Sequence, residues 1–124
     1  MGLVLGLLSA VFVLALPVSI QLPLIGVALG AAGGAYVGFA LTAASSREQL
    51  IEWIGVAVFA LIGAIGIGIT AWALVGGWLL HALWDLRHHR SERSSWVPTR
   101  YPMFCLAYDL VLAALAAYLA METI

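Results

Sequence analysis

Between Gly77 and His89 the chain reads Gly-Trp-Leu-Leu-His-Ala-Leu-Trp-Asp-Leu-Arg-His-His, and this stretch holds all 3 of its histidines. On a helix, steps of four and then three residues bring His81, Asp85 and His88 to one face. His89 lies about 100° further round and reaches that face only from its edge. Imidazole and carboxylate each offer a lone pair, and a helix fixes their separation, which suits a divalent metal such as zinc or iron. Three more groups of this chemistry are Glu52, Cys105 and Asp109, the last two one helical turn apart. His81, His88 and Asp109 are the preferred ligands. Asp85, His89, Glu52 and Cys105 complete the candidate set, and Asp85 or Glu52 is also the candidate general base, since a carboxylate beside an ion can take a proton from water.

Little else in the chain is polar. Of 124 residues, 65% are apolar and 9% are charged, and the formal net charge is -1. A soluble domain is about 45–50% apolar and about 25% charged, so a water-soluble fold is excluded, and so is disorder, which needs low hydrophobicity and high net charge. The expected surroundings are the lipid bilayer. Without an excess of cations, nucleic acid is excluded as a partner. The single cysteine permits no intramolecular disulfide.

Apolar runs and the breaks between them predict an all-α integral membrane bundle of five transmembrane helices, one domain over residues 1–124, with spans at 2–20, 24–43, 49–65, 69–89 and 103–121. The first run is closed by Gln21 and Pro23. A secretory signal peptide would also be apolar, but no positive residue precedes this run and no small-x-small cleavage site follows it. The second span carries Gly26, Gly30, Gly34 and Gly38. This glycine zipper lets another backbone approach closely, either another span or a second copy in a homo-oligomer. Ser45 with Glu48, or Ser46 with Gln49, has capping-box spacing and starts the third helix. From Gln49 to His89 there are 41 residues without a strong polar break. One helix of that length would run ~61 Å across a ~30 Å hydrocarbon core, so a turn is expected at Gly63, Gly66 and Gly68. A polar loop from Arg90 to Tyr101, with Glu92, Arg93, Ser94 and Ser95, precedes Pro102, which suits the first turn of the fifth helix.

Five spans place all five arginines, at 47, 87, 90, 93 and 100, on one side of the membrane. The positive-inside rule makes that side cytoplasmic, together with the N-terminus, in the plasma (inner) membrane. Glu52, His81, Asp85 and Asp109 then come from three helices to one level near that surface. A charge at mid-span costs roughly 2.5–3.5 kcal/mol, so several together imply mutual neutralisation or a bound cation.

Each residue also has a plainer role. His88 and His89 could anchor the helix at the lipid phosphates, Asp85 could pair with an arginine one turn away, and Asp109 or Glu52 could be protonated and bonded to a histidine. Cys105 could be a small packing residue. Trp53, Trp72, Trp78, Trp84, Trp96 and Tyr101 suit an interfacial belt.

The segment Asp85-x-x-His88-His89 resembles one histidine box of the membrane fatty-acid desaturases and hydroxylases, with aspartate in place of its first histidine. Those di-iron enzymes use many more histidines, so an iron oxygenase here would need carboxylates to make up the set. In Gly77-Trp78-Leu79-Leu80-His81, Trp84-Asp85, His88-His89, Cys105-x-x-x-Asp109 and Glu52, the whole chain resembles a family of small membrane proteins known as domain of unknown function 6010. That resemblance supports the choice of site residues and implies no activity.

The expected function is a metal-dependent membrane enzyme, of hydrolase type, acting on a lipophilic small-molecule substrate at the cytoplasmic leaflet. The alternatives are a metal-free acid/base isomerase or cyclase, a di-iron oxygenase-like enzyme, and a cation or proton transporter subunit. Transport would need polar residues toward the other leaflet, where the spans offer little beyond Thr70 and Ser19.

Overall fold

A computed structural model describes residues 1–90, 98 and 100–122. Five helices follow one another: α1 (Gly2–Leu14), α2 (Val18–Ala43), α3 (Ser46–Gly68), α4 (Trp72–Arg90) and α5 (Tyr101–Glu122). Among the described residues, three helices are long and apolar enough to cross a membrane: Val18–Thr42, Ser46–Gly68 and Tyr101–Glu122. At 13 residues α1 is only ~20 Å long, short of a ~30 Å hydrocarbon core. Asp85, Arg87 and the histidines make α4 the most polar helix of the five. Glu92, Arg93, Ser94, Ser95 and Trp96, expected in the polar loop, lie outside the described residues.

The first break falls earlier than the sequence suggests. Proline disfavours helical geometry in the residue before it, and Pro17 stands at the N-cap of α2, so α1 stops at Leu14 and not at Ile20. Gln21, expected to end the first span, lies inside α2. Its amide Nε2 donates to the carbonyls of Leu14 at 3.4 Å and Leu16 at 3.0 Å, which α1 leaves unpaired. Pro23 is also inside α2, where it gives up one helical bond near the start of a 26-residue helix.

At the next boundary Ser45 and Glu48 form the capping box. The Ser45 hydroxyl accepts from the Glu48 N–H at 3.3 Å and the Glu48 carboxylate accepts from the Ser45 N–H at 3.2 Å. Gln49 closes α2 as Gln21 closes α1, donating to the carbonyls of Ala40 and Ala44.

The turn between α3 and α4 falls at Ile69–Ala71, just past the glycines proposed for it. Gly63 and Gly66 stay helical because they are packing positions: a Cβ on Gly63 would meet the Gly26 carbonyl oxygen at 2.5 Å, and one on Gly66 would strike Leu74. The glycine face of α2 meets α3 of the same chain, with Gly26 against Gly63 and Ile67, Gly30 against Ala60 and Gly34 near Val56.

Pro102 lies in the first turn of α5, where its missing N–H costs nothing. The pairs Gly26–Gly63 and Gly33–Val56 make α2 and α3 antiparallel, and Gly66–Leu74 and Gly55–Trp84 do the same for α3 and α4. His81 meets Asp109, and Tyr36 touches both His88 and Tyr101, so α4 and α5 are antiparallel as well. Helix α1 runs parallel to α5, with Gly2 against Phe104 and Gly6 against Val111. This alternation puts the ends of the helices bearing Arg47, Arg87 and Arg100 at one end of the bundle.

Candidate functional site

At the arginine end, four helices turn polar side chains inward. Glu52, His81, Asp85, His88 and Asp109 are all buried, none more than 3% exposed. The spacing on α4 delivers what its periodicity implies: His81, Asp85 and His88 share the inward face, while His89 is exposed to the outside of the bundle.

Two linked sets of contacts result. In the first, His81 Nδ1 lies 2.6 Å from Asp109 Oδ2 and 3.5 Å from Asp85 Oδ2. The other oxygen of Asp85 accepts a 2.5 Å hydrogen bond from the Tyr36 hydroxyl of α2. In the second, His88 Nδ1 is 2.8 Å from the Trp84 carbonyl and Nε2 is 2.5 Å from Glu52 Oε1. A carbonyl only accepts, so His88 Nδ1 carries a hydrogen. The contact with Glu52 then holds one further proton, which belongs to either the imidazole or the carboxyl. Tyr36 joins the two sets: its ring stacks on His88 with centroids 3.9 Å apart.

Among the described residues, His81, Asp85 and Asp109 form a group whose ligand atoms all lie within 4.8 Å of one another. Glu52 and His88 are paired beside it and outside it. Cys105, half-buried on α5, is outside it too, next to the Tyr101 hydroxyl. The arrangement has unused capacity. Asp85 Oδ2, His81 Nε2, Glu52 Oε2 and the Trp78 indole nitrogen are buried with no hydrogen-bond partner among the described residues. Such atoms cost about 1–3 kcal/mol each when nothing meets them.

Tyr36 is a site residue that the spacing of histidines and carboxylates does not reveal. Its signal was a lone phenol in a span otherwise apolar from Leu24 to Leu41, since a buried tyrosine hydroxyl has to find a partner. Two tryptophans correct the belt expectation. Trp78 is fully buried beside His81 and Trp84 is half-buried over His88, because both lie on the packed side of α4, whereas Trp53 and Trp72 are exposed to the outside as an interfacial residue should be.

No curated protein and no solved structure matches the chain. A family described as a family of unknown function, DUF6010, matches residues 1–122.

Proposed function

The chain belongs to that family of unknown function, DUF6010, and we propose that it is an integral membrane enzyme that holds a divalent metal ion on His81, Asp85 and Asp109 and hydrolyses a lipophilic substrate at the arginine-bearing face. The observation that carries this reading is the convergence of one imidazole and two carboxylates, all buried, on one point between α4 and α5. Two carboxylates in an apolar bundle need compensation, and the unpartnered Asp85 Oδ2 beside His81 has an open lone pair for it. Zinc or iron suits this donor set. A bound ion would supply a polarised water, and Glu52, paired with His88, is the nearby carboxylate pair able to hold a proton. The residues below the cluster argue for chemistry over transport: Leu29, Leu74 and Leu112 fill the core there and continue no polar path.

In this reading all five helices cross the bilayer. α4 hides its polar face between α3 and α5, and α1 lies parallel to α5 and is matched by local thinning of the lipid. The arginine end faces the cytoplasm with the N-terminus, in the plasma (inner) membrane. Because α3 covers the glycine face of α2, a homo-oligomer would use a different surface.

The test is metal analysis of protein purified in mild detergent without chelators. Zinc, iron, copper and manganese are measured by mass spectrometry, and the expected result is close to one ion per chain, falling sharply in Asp85→Asn and Asp109→Asn. Wild-type protein without a near-stoichiometric metal overturns it. One observation favours a second reading, a metal-free acid/base isomerase or cyclase: His81–Asp109 at 2.6 Å and His88–Glu52 at 2.5 Å are already complete imidazole–carboxylate pairs. The same metal analysis separates the two.

A further inference from the structure

On the outer surface of α3 and α4 lies a groove of about 270 Å³ with no polar lining, formed by Ile51, Ile54, Val58 and Leu80 over a floor of Phe59 and Trp84. Its existence depends on Gly55, where a Cβ would meet the Trp84 ring at 2.7 Å; glycine lets the indole lie flat against the α3 backbone. The floor is one ring thick. Phe59 packs edge-on against His81 with centroids 4.8 Å apart, and Trp84 lies 5.3 Å from His88. From Ile51 to Phe59 the groove follows ~12 Å of helix, the length of roughly ten methylenes.

The end of the groove nearest the membrane surface is cationic from both sides. Arg87, one turn beyond Trp84, is exposed and places its guanidinium over the Trp84 ring at 5.2 Å. Arg47, one turn before Ile51, is exposed on α3. The neighbouring acid, Glu48, accepts from the Ser45 N–H in the capping box and offsets one of these two positive charges, leaving this end of the groove net positive. An apolar slot with an arginine one turn beyond its end on each of its two helices complements an acyl chain that ends in an anion.

We propose that this groove binds one acyl chain of an anionic membrane phospholipid, with the phosphate between Arg47 and Arg87, and that lipids of this class are the substrates presented to the buried cluster. The link to substrate rests on the proposed function, whereas the binding does not.

The test uses the full chain in nanodiscs made from equal parts of phosphatidylglycerol and phosphatidylcholine with identical chains, and native mass spectrometry counts the lipid that remains on the protein. Retention of one phosphatidylglycerol in preference to phosphatidylcholine is expected. Removing one cation should reduce that preference about fivefold in Arg87→Gln or Arg47→Gln, and Arg100→Gln, just before α5, should leave it unchanged. Val58→Trp should fill the groove and abolish retention. Ile54→Trp, at a position 56% exposed and so able to accept the ring without disturbing the core, is the second variant. Millimolar inorganic phosphate should not displace the lipid, and displacement would mean an anion site without a chain site. Equal retention of both lipids, unaltered by Arg87→Gln and Ile54→Trp, overturns the proposal. Metal content measured on the same samples shows separately whether the catalytic reading stands.

Discussion

The two ends of the bundle are held together by different physics. At the arginine end the interior consists of Tyr36, Glu52, His81, Asp85, His88 and Asp109, joined by directional contacts. Toward the other end it consists of Ile25, Leu29, Leu74, Leu115 and Leu119, and the buried polar side chain there, Gln21, only closes the end of α1. Lipid is as apolar as leucine, so the second region gains mainly from close packing, while the first gains from pairing charges that neither lipid nor a hydrophobic neighbour could satisfy. The buried ionisable groups are thus gathered at one end of the bundle, and each end should respond to substitution in its own way.

The largest expected effect is at the polar end. Asp109→Ala leaves His81 facing Asp85 alone inside the bundle, and breaking a buried pair from one side costs about 3–5 kcal/mol. Replacing His81 and Asp109 together by leucine removes the charge problem with its solution and should recover most of that loss in metal-free protein, without restoring metal. Denaturant titration in mixed micelles, with metal content measured in parallel, checks both. If the single and double variants are equally destabilised, the polar end is held by packing and the contrast fails.

At the apolar end Leu74→Ala removes a fully buried side chain that packs against Gly66 and leaves a cavity, for a cost of about 2–4 kcal/mol. Unlike Asp109→Ala it should leave metal content untouched. Should it release metal, the two ends are one cooperative unit.

Why the sequence disclosed some of this and hid the rest follows from the same division. The helix count, the capping box at Ser45, the first-turn position of Pro102 and the grouping of His81, Asp85 and Asp109 were legible because each rests on spacing within one helix or on alternation of direction along the chain. The break at Pro17 was obscured because Gln21 and Pro23 look like a turn, and only the folded chain shows the Gln21 amide reaching back to α1. Gly63 and Gly66 look like turn formers in the sequence, although their role is to admit Gly26 and Leu74. Tyr36 was hidden because its partner, Asp85, is 49 residues away, and no periodicity within α2 points to it.

Tyr36→Phe sharpens the comparison at a finer scale. It removes one hydroxyl and leaves Asp85 Oδ1 without its donor, while the phenyl ring can still stack on His88. A hydrogen bond to a charged group contributes about 1.5–3 kcal/mol, so the loss should fall in that range and below that of Asp109→Ala. If the variant is as stable as the wild type, Tyr36 belongs to the packing and not to the site.

The smallest effect is expected within the glycine row itself, at Gly38. A Cβ on Gly26 or Gly63 would collide with α3 or α2, but one on Gly38 meets nothing within 4 Å. The row therefore has three kinds of member: Gly26, where a Cβ would collide with Ile67 at 2.7 Å, Gly30 and Gly34, where it would make ordinary contact at 3.6–3.7 Å, and Gly38, which has no contact to keep. Gly38→Ala should change stability by less than about 1 kcal/mol, in the stabilising direction, because alanine has the higher helix propensity. Gly63→Ala should destabilise by about 1–3 kcal/mol through overpacking against the Gly26 backbone. Equal penalties at the two positions, in the same unfolding titration, would mean that Gly38 faces a surface outside this chain, and a cross-linking assay with cysteine at Gly38 would then report a second copy.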